Sequence, residues 1–190
     1  MRVQETPLDR AKRGDARAFE DLARAEERAL FRHVARMVGP TDAEDVVQDA
    51  FVSAWKSMGS FEGTAFHAWL FRIATNRALD LIRARRRKGE LPLEPAEDEE
   101  RTWAEPAAPG PDLHRIAGDR EAVAAVEIAL QAVPAEQRAA LLLRDVEGFD
   151  YEEIARITAS ELGTVKSRIH RARLSVRNAL VAQGWTGSGS

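Results

Sequence analysis

The stretch Tyr151-Glu152-Glu153-Ile154-Ala155-Arg156-Ile157-Thr158-Ala159-Ser160-Glu161-Leu162-Gly163-Thr164-Val165-Lys166-Ser167-Arg168-Ile169-His170-Arg171-Ala172-Arg173 decides the fold. Asp150 and Glu153 form a capping-box-like start for a helix over Tyr151 to Thr158. A three-residue turn region follows, and a last helix then runs from about Glu161 to Ala182. That last helix carries Leu162, Val165, Ile169, Ala172 and Val176 along one side. Two helices around a tight turn, the second apolar on one side only, read as a helix-turn-helix. The opposite side presents Lys166, Ser167, His170, Arg171, Arg173 and Arg177. Cations in such a place can complement the helix dipole and stay solvated, or they can reach base edges and phosphates in a major groove. Residue types alone leave both readings open.

Working toward the N-terminus, Val123, Val126, Leu130 and Val133 keep helical spacing, and Pro134 is placed to open a further helix from Ala135 to about Asp145, closed by Gly148. From Gly89 to about Asp119 the periodicity is lost. This segment holds Pro92, Pro95, Pro106, Pro109 and Pro111 and the acidic run Glu97-Asp98-Glu99-Glu100, which favours an extended linker. Before it, apolar residues recur at helical spacing from Asp15 to Met58, first through Phe19, Leu22, Leu30, Phe31, Val34 and Met37. After a break at Gly39-Pro40 they continue through Ala43, Val46, Val47, Ala50, Phe51, Ala54 and Trp55. A third helix follows Gly59 to Thr64, carries Phe66, Trp69, Leu70, Ile73, Ala74, Ala78, Leu81 and Ile82, and ends in Arg83-Ala84-Arg85-Arg86-Arg87-Lys88. The expected fold is all-α: a helical domain over 16–88, a linker over 89–119, a second helical domain with the helix-turn-helix over 120–182, and a disordered Gly/Ser-rich tail over 183–190.

Composition limits the chemistry. The chain has no cysteine, so disulfides, thiolate metal sites and cysteine nucleophiles are excluded. A formal net charge of −3 argues against indiscriminate coating of nucleic acid, so any DNA contact must be local. Residues Met1 to Asp9 lack an apolar signal region, and no apolar run approaches the ~20 residues that span a bilayer. A cytoplasmic protein without membrane insertion is expected. No nucleophile–base pair, phosphate loop or metal-ligand spacing occurs, so neither catalysis nor a metal or other cofactor is expected.

Opposite the apolar stripe of the second helix, Asp45, Gln48, Asp49, Val52 and Lys56 share one face. Neither His nor Cys joins the carboxylates, which disfavours a metal site and leaves a solvated face or a docking face. On the third helix Arg72, Asn76, Asp80, Arg83 and Arg87 share one face, behind a loop running from Phe61 to His67. Trp69 is expected in the core.

Three segments together resemble the extracytoplasmic-function sigma factors of bacterial RNA polymerase. They are Asp42-Ala43-Glu44-Asp45-Val46-Val47-Gln48-Asp49-Ala50-Phe51, Phe66-His67-Ala68-Trp69-Leu70-Phe71-Arg72-Ile73-Ala74-Thr75-Asn76, and Tyr151 to Ala155 followed by Gly163 to Arg173. The resemblance covers roughly Ala16 to Lys88 and Glu121 to Leu180. It implies a non-enzymatic factor that binds core polymerase (the β′ clamp helices and the β subunit) and promoter DNA, and that pairs with a cognate anti-sigma protein. Asp45, Gln48 and Asp49 would dock on polymerase. Phe61, His67, Arg72, Asn76, Asp80, Arg83 and Arg87 would hold the melted non-template strand of the −10 element, with a base extruded into a pocket built partly by the loop. Lys166, Ser167, His170 and Arg171 would reach base edges of the −35 duplex, with Thr164, Arg168 and Arg173 facing phosphates. The acidic linker would thread toward the polymerase active-site cleft, mimicking nucleic acid in a basic channel. At the turn the chain departs from the family pattern: Ala159 stands where glycine or another small or polar residue is usual, and Thr158 precedes it where leucine is common. A non-glycine residue at positive φ costs on the order of 1 kcal/mol, so the turn is expected either to avoid that conformation or to tolerate it. The rival reading is a stand-alone helix-turn-helix regulator, which a lone basic helix without a partner would serve weakly.

Overall fold

The computed structural model of the chain describes residues 5–92 and 120–184. The expected linker and the end of the tail fall mostly outside these limits. Among the described residues the secondary structure is helical throughout: α1 (Pro7–Lys12), α2 (Ala16–Val38), α3 (Pro40–Ser57), a 3-10 turn (Met58–Ser60), α4 (Phe66–Arg87), α5 (Arg120–Gln131), α6 (Ala135–Asp145), α7 (Tyr151–Thr158) and α8 (Leu162–Ala182). The chain divides into two compact units, Met1–Leu81 and Ile82–Ser190, the division falling in the last turns of α4.

In the N-terminal unit each helix boundary has a local cause. Asp15 caps α2 by accepting from the Ala18 N–H at 3.1 Å. Gly39 both ends α2 and precedes α3, with φ 89° and ψ 158°, a conformation that side chains disfavour, and Pro40 then supplies the fixed φ of a first helical turn. Leu30, Val34 and Met37 of α2, Ala43, Val46, Val47, Ala50 and Ala54 of α3, and Phe66, Leu70, Phe71, Ala74 and Ala78 of α4 form the core. Small residues on α3 admit close approach of its neighbours, while Phe71 and Leu30 fill the volume between. One polar pair is sealed inside: His33 Nε2 lies 2.9 Å from Thr75 Oγ1, and both residues are fully buried. Burial pushes the His33 imidazole down to about 3, because the protonated ring cannot be hydrated there, with Arg36 and His67 adding repulsion.

The short helix α1 is not among the sequence expectations. Its signal is local: Pro7 at the first position and a reciprocal capping box, in which Thr6 Oγ1 accepts from Asp9 N–H at 3.1 Å and Asp9 Oδ2 accepts from Thr6 N–H at 3.2 Å. Ala11 anchors it in the core. With so few residues it carries no amphipathic period to detect.

In the C-terminal unit α6 is central, with Ala139, Ala140, Leu141, Leu142 and Leu143 buried. Val165, Ile169, Ala172 and Val176 of α8 pack inward as their spacing requires, and Ile154 and Ile157 do so from α7. Arg138, almost fully buried, donates through Nη1 to the Leu130 carbonyl at 3.2 Å and to Gln131 Oε1 at 3.1 Å, satisfying the carbonyl end of α5.

Candidate nucleic-acid interface

The turn between α7 and α8 joins a helix capped as expected to one whose Arg168, expected at a phosphate, reaches back to the turn instead. Asp150 Oδ1 accepts from Glu153 N–H at 2.7 Å and Glu153 Oε2 accepts from Asp150 N–H at 3.0 Å, so the capping box starts α7 as expected. Ala159 then adopts the left-handed conformation, φ 49° and ψ 45°. The turn tolerates this geometry rather than avoiding it, and it remains the one non-glycine residue of positive φ among those described. What it gains is a closed helix end, with Ser160 N–H reaching the Ala155 carbonyl at 3.0 Å.

Arg168 of α8 reaches back to this turn, its Nη1 donating to Ser160 Oγ at 2.8 Å with Glu136 Oε2 at 3.8 Å, and only 13% of its side chain is exposed. Arg173 binds Asp145 through two hydrogen bonds, Nε to Oδ2 at 2.9 Å and Nη2 to Oδ1 at 2.6 Å, fixing α8 to the end of α6. Hydrogen bonding to the Asp145 carboxylate raises the Arg173 guanidinium above its ordinary range. Both arginines, expected at phosphates, are thus committed within the domain. Ser167 Oγ donates to the Thr164 carbonyl at 2.9 Å, and Thr164 and Ser167 are both half-buried. Lys166 is exposed, with its Nζ 5.7 Å from the centre of the Tyr151 ring, and the Arg144 guanidinium lies 4.7 Å from the same ring. Arg144 Nη1 also donates to the Phe149 carbonyl at 2.8 Å, bracing the loop before α7. His170 and Arg171 are half-buried on the face next to Lys166. Tyr151 and Arg144 escaped the sequence reading because nothing in their spacing shows that one ring meets cations from two helices.

Helix α4 presents Arg72, Asp80, Arg83 and Arg87 exposed and Asn76 half-buried along one face; Arg83 and Arg87 lie past the division between the two units, and the Arg83 guanidinium donates to the Glu136 carboxylate. His67 donates through Nδ1 to Glu26 Oε2 at 2.7 Å, which ties the start of α4 to α2. The loop before α4 is folded around an aromatic stack: Phe61 and Trp69 lie 4.4 Å apart with planes inclined by 23°. Trp69, expected in the core, is instead half-buried at this stack. On α3, Asp45, Gln48 and Asp49 are exposed, with Arg77 Nη1 of α4 3.6 Å from Asp49 Oδ2. Beside them an open groove of about 650 Å³ separates α2 from α3, floored by Phe31, Val47 and Phe51 and rimmed by Glu27, Arg28 and Gln48. No group of three or more His, Cys, Asp or Glu residues suited to a metal ion occurs among the described residues, and no described helix is long and apolar enough to cross a membrane.

The described residues thus combine a helix-turn-helix whose second helix carries cations off its apolar stripe with a helix, α4, that follows an aromatic loop and ends in a basic run, an arrangement of the kind found in helical transcription factors. Residues 14–88 match the family described as Sigma-70 region 2, and residues 124–176 match Sigma-70, region 4. The chain is 36% identical over 178 residues to the RNA polymerase sigma-H factor of Pseudomonas aeruginosa, covering 91% of each chain. It is 35% identical over 178 residues to the ECF RNA polymerase sigma-E factor of Escherichia coli K12, covering 90% of this chain and 91% of that one. Among solved structures it resembles the sigma factor RpoE of Bartonella quintana, crystallised with the anti-sigma factor NepR, with TM-score 0.65, 28% identity and coverage of 87% of this chain and 98% of that one. CnrH in complex with the cytosolic domain of CnrY is similar at TM-score 0.65 and 28% identity, covering 93% of this chain and 96% of that one. The chain belongs to the extracytoplasmic-function sigma factors of the sigma-70 family, and it serves promoter-specific initiation of transcription.

Proposed function

We propose that this sigma factor divides its work among three faces. The exposed Asp45, Gln48 and Asp49 face, with the groove beside it, docks on the β′ clamp helices of core RNA polymerase, where carboxylates and an amide offer acceptors to arginines. The α4 face holds the melted non-template strand of the −10 element: Asn76 and Asp80 contact base edges, Arg72, Arg83 and Arg87 follow the phosphates, and Phe61 and His67 shape the loop side of the base pocket. The α8 face reads the −35 duplex through Lys166, Ser167, His170 and Arg171, with Thr164 at the backbone. Arg168 and Arg173 act on that face by fixing the turn and the pitch of α8. The β subunit is the further contact in the polymerase, and the factor works in the cytoplasm without catalysing a reaction of its own.

The observation that carries this reading is that exposed cations line one face of each of two separate helices, α4 and α8, while the exposed face of α3 presents the acceptors Asp45, Gln48 and Asp49. A stand-alone regulator would need only one of them. The similarity to a sigma factor solved with the anti-sigma factor NepR supports a cognate anti-sigma partner here as well. Abortive transcription from supercoiled promoter fragments tests the docking face: core polymerase with this chain initiates at defined sites, and Asp45→Arg/Asp49→Arg removes that initiation while the isolated helix-turn-helix surface is untouched. Specific duplex binding in the absence of polymerase, with no initiation in its presence, would replace the reading by that of a stand-alone regulator.

A further inference from the structure

The short helix α1 ends at Lys12, and that lysine reaches the loop in front of α4. Its Nζ donates to the Gly63 carbonyl at 2.8 Å and sits 5.0 Å from the centre of the Phe61 ring. Phe61 is meanwhile stacked on Trp69 and folded over Gly63, where a Cβ would meet the ring carbons Cε2 and Cζ at 2.7 and 2.8 Å. One ammonium therefore holds both a backbone carbonyl and the aromatic anchor of a loop whose residues Glu62, Gly63, Thr64 and Ala65 are all exposed. The base from which it reaches is rigid. The capping box at Thr6 and Asp9, the buried Ala11 and the Arg10–Asp15 ion pair (2.5 Å) fix α1 at both ends. The Lys12 carbonyl would lie 3.8 Å from a Cβ at Gly59, so α1 also backs the 3-10 turn from which the loop departs.

We infer that Lys12 is a positioning residue for base capture: α1, acting through Lys12, holds the Phe61–Ala65 loop in the single shape that receives an extruded base of the melted strand. The inference rests on the assignment of the loop and α4 to strand capture. A loop with two exposed glycine or small residues and no regular hydrogen bonding samples many shapes, and each shape that cannot accept the base lowers the apparent affinity. Tying one carbonyl and one ring from outside removes most of them. Lysine suits the task because an ammonium has three donors and a full charge, so it can donate to a carbonyl while being attracted to an aromatic face. Lys12 itself need not touch DNA.

The test uses the full chain with core polymerase on pre-melted promoter templates in which each non-template position is made abasic in turn, and it measures the lifetime of the open complex against a heparin challenge. Wild type is expected to show one position where loss of the base shortens the lifetime about ten-fold, the scale of a stacked and held base. In Lys12→Met that penalty shrinks to less than about two-fold, with polymerase affinity and melting temperature kept, and Lys12→Arg restores it. Gly63→Ala, which displaces the Phe61 ring without touching α1, is expected to shrink it likewise, so the proposal is tested even where Lys12→Met fails to fold. A full penalty in folded Lys12→Met overturns the positioning role while leaving strand capture intact, and where that variant fails to fold a full penalty in Gly63→Ala does so. Absence of any sensitive position in wild type, or indifference to Asn76→Ala, overturns strand capture by this face and the positioning role with it.

Discussion

Ala159 holds the tightest point of the helix-turn-helix in a conformation that a Cβ resists. Glycine there removes the steric cost but loosens the unfolded chain, and the two effects oppose each other. The steric side wins at positive φ, so Ala159→Gly is expected to stabilise the C-terminal unit by about 0.5 kcal/mol in chemical denaturation, with duplex reading unchanged. His33 gives the N-terminal unit a pH dependence of definite sign. Its folded value of about 3 lies below the ordinary 6.5, so the unfolded chain binds the proton more readily between those values. Stability is complete above about pH 6.5 and is lost as pH falls toward 3, at up to about 1.4 kcal/mol per pH unit. Asp9 and Asp15 are held below their ordinary 3.8 by hydrogen bonds from Thr6 and Ala18, so they leave the window from about pH 6.5 to 4.5 to the histidine. Denaturation across that window should show the slope in wild type and a flatter profile in His33→Leu/Thr75→Val, which removes both partners of the buried bond together.

At the scale of the element, α8 shows how two jobs share one helix. Its inward stripe was legible from spacing, except that Leu162 at the first position of the helix is exposed, and so were the capping of α7, the Pro134 start of α6 and the break at Gly39-Pro40, because each depends on residues close in sequence. The division of its cations was not. Lys166, Arg168, His170, Arg171 and Arg173 all lie off the apolar stripe, yet Arg168 and Arg173 meet Ser160, Glu136 and Asp145, partners up to 32 residues away that only the packing of α6 against α8 brings near. The same limit hid the stack of Phe61 on Trp69 and the reach of Lys12 across 51 residues to Gly63. Periodicity reports which side of a helix is buried and is silent on which polar groups cross between helices. The distinction predicts different phenotypes. Arg173→Met leaves the half-buried Asp145 carboxylate without its two donors and is expected to lower the stability of the C-terminal unit by about 2 kcal/mol. Lys166→Ala, at an exposed position, is expected to leave stability within about 0.5 kcal/mol while weakening promoter binding. Denaturation of both variants beside promoter binding by the reconstituted holoenzyme separates the two.

At the scale of the whole molecule, the proposed function has faces on two separate helices, α4 and α8, reading separate parts of one promoter, with polymerase fixing the distance between them. A sigma factor of this build needs neither face to bind tightly alone, since the second contact becomes intramolecular once polymerase holds the first. The measurement that tests this most directly is selection by reconstituted holoenzyme from a promoter library in which both elements are randomised, followed by sequencing of the productively initiated templates. Wild type is expected to recover two conserved elements, Lys166→Ala/Arg171→Ala to lose information only at the upstream one, and Asn76→Ala only at the downstream one. Loss at both elements from either variant, or at neither from both, would contradict the assignment of one helix to each.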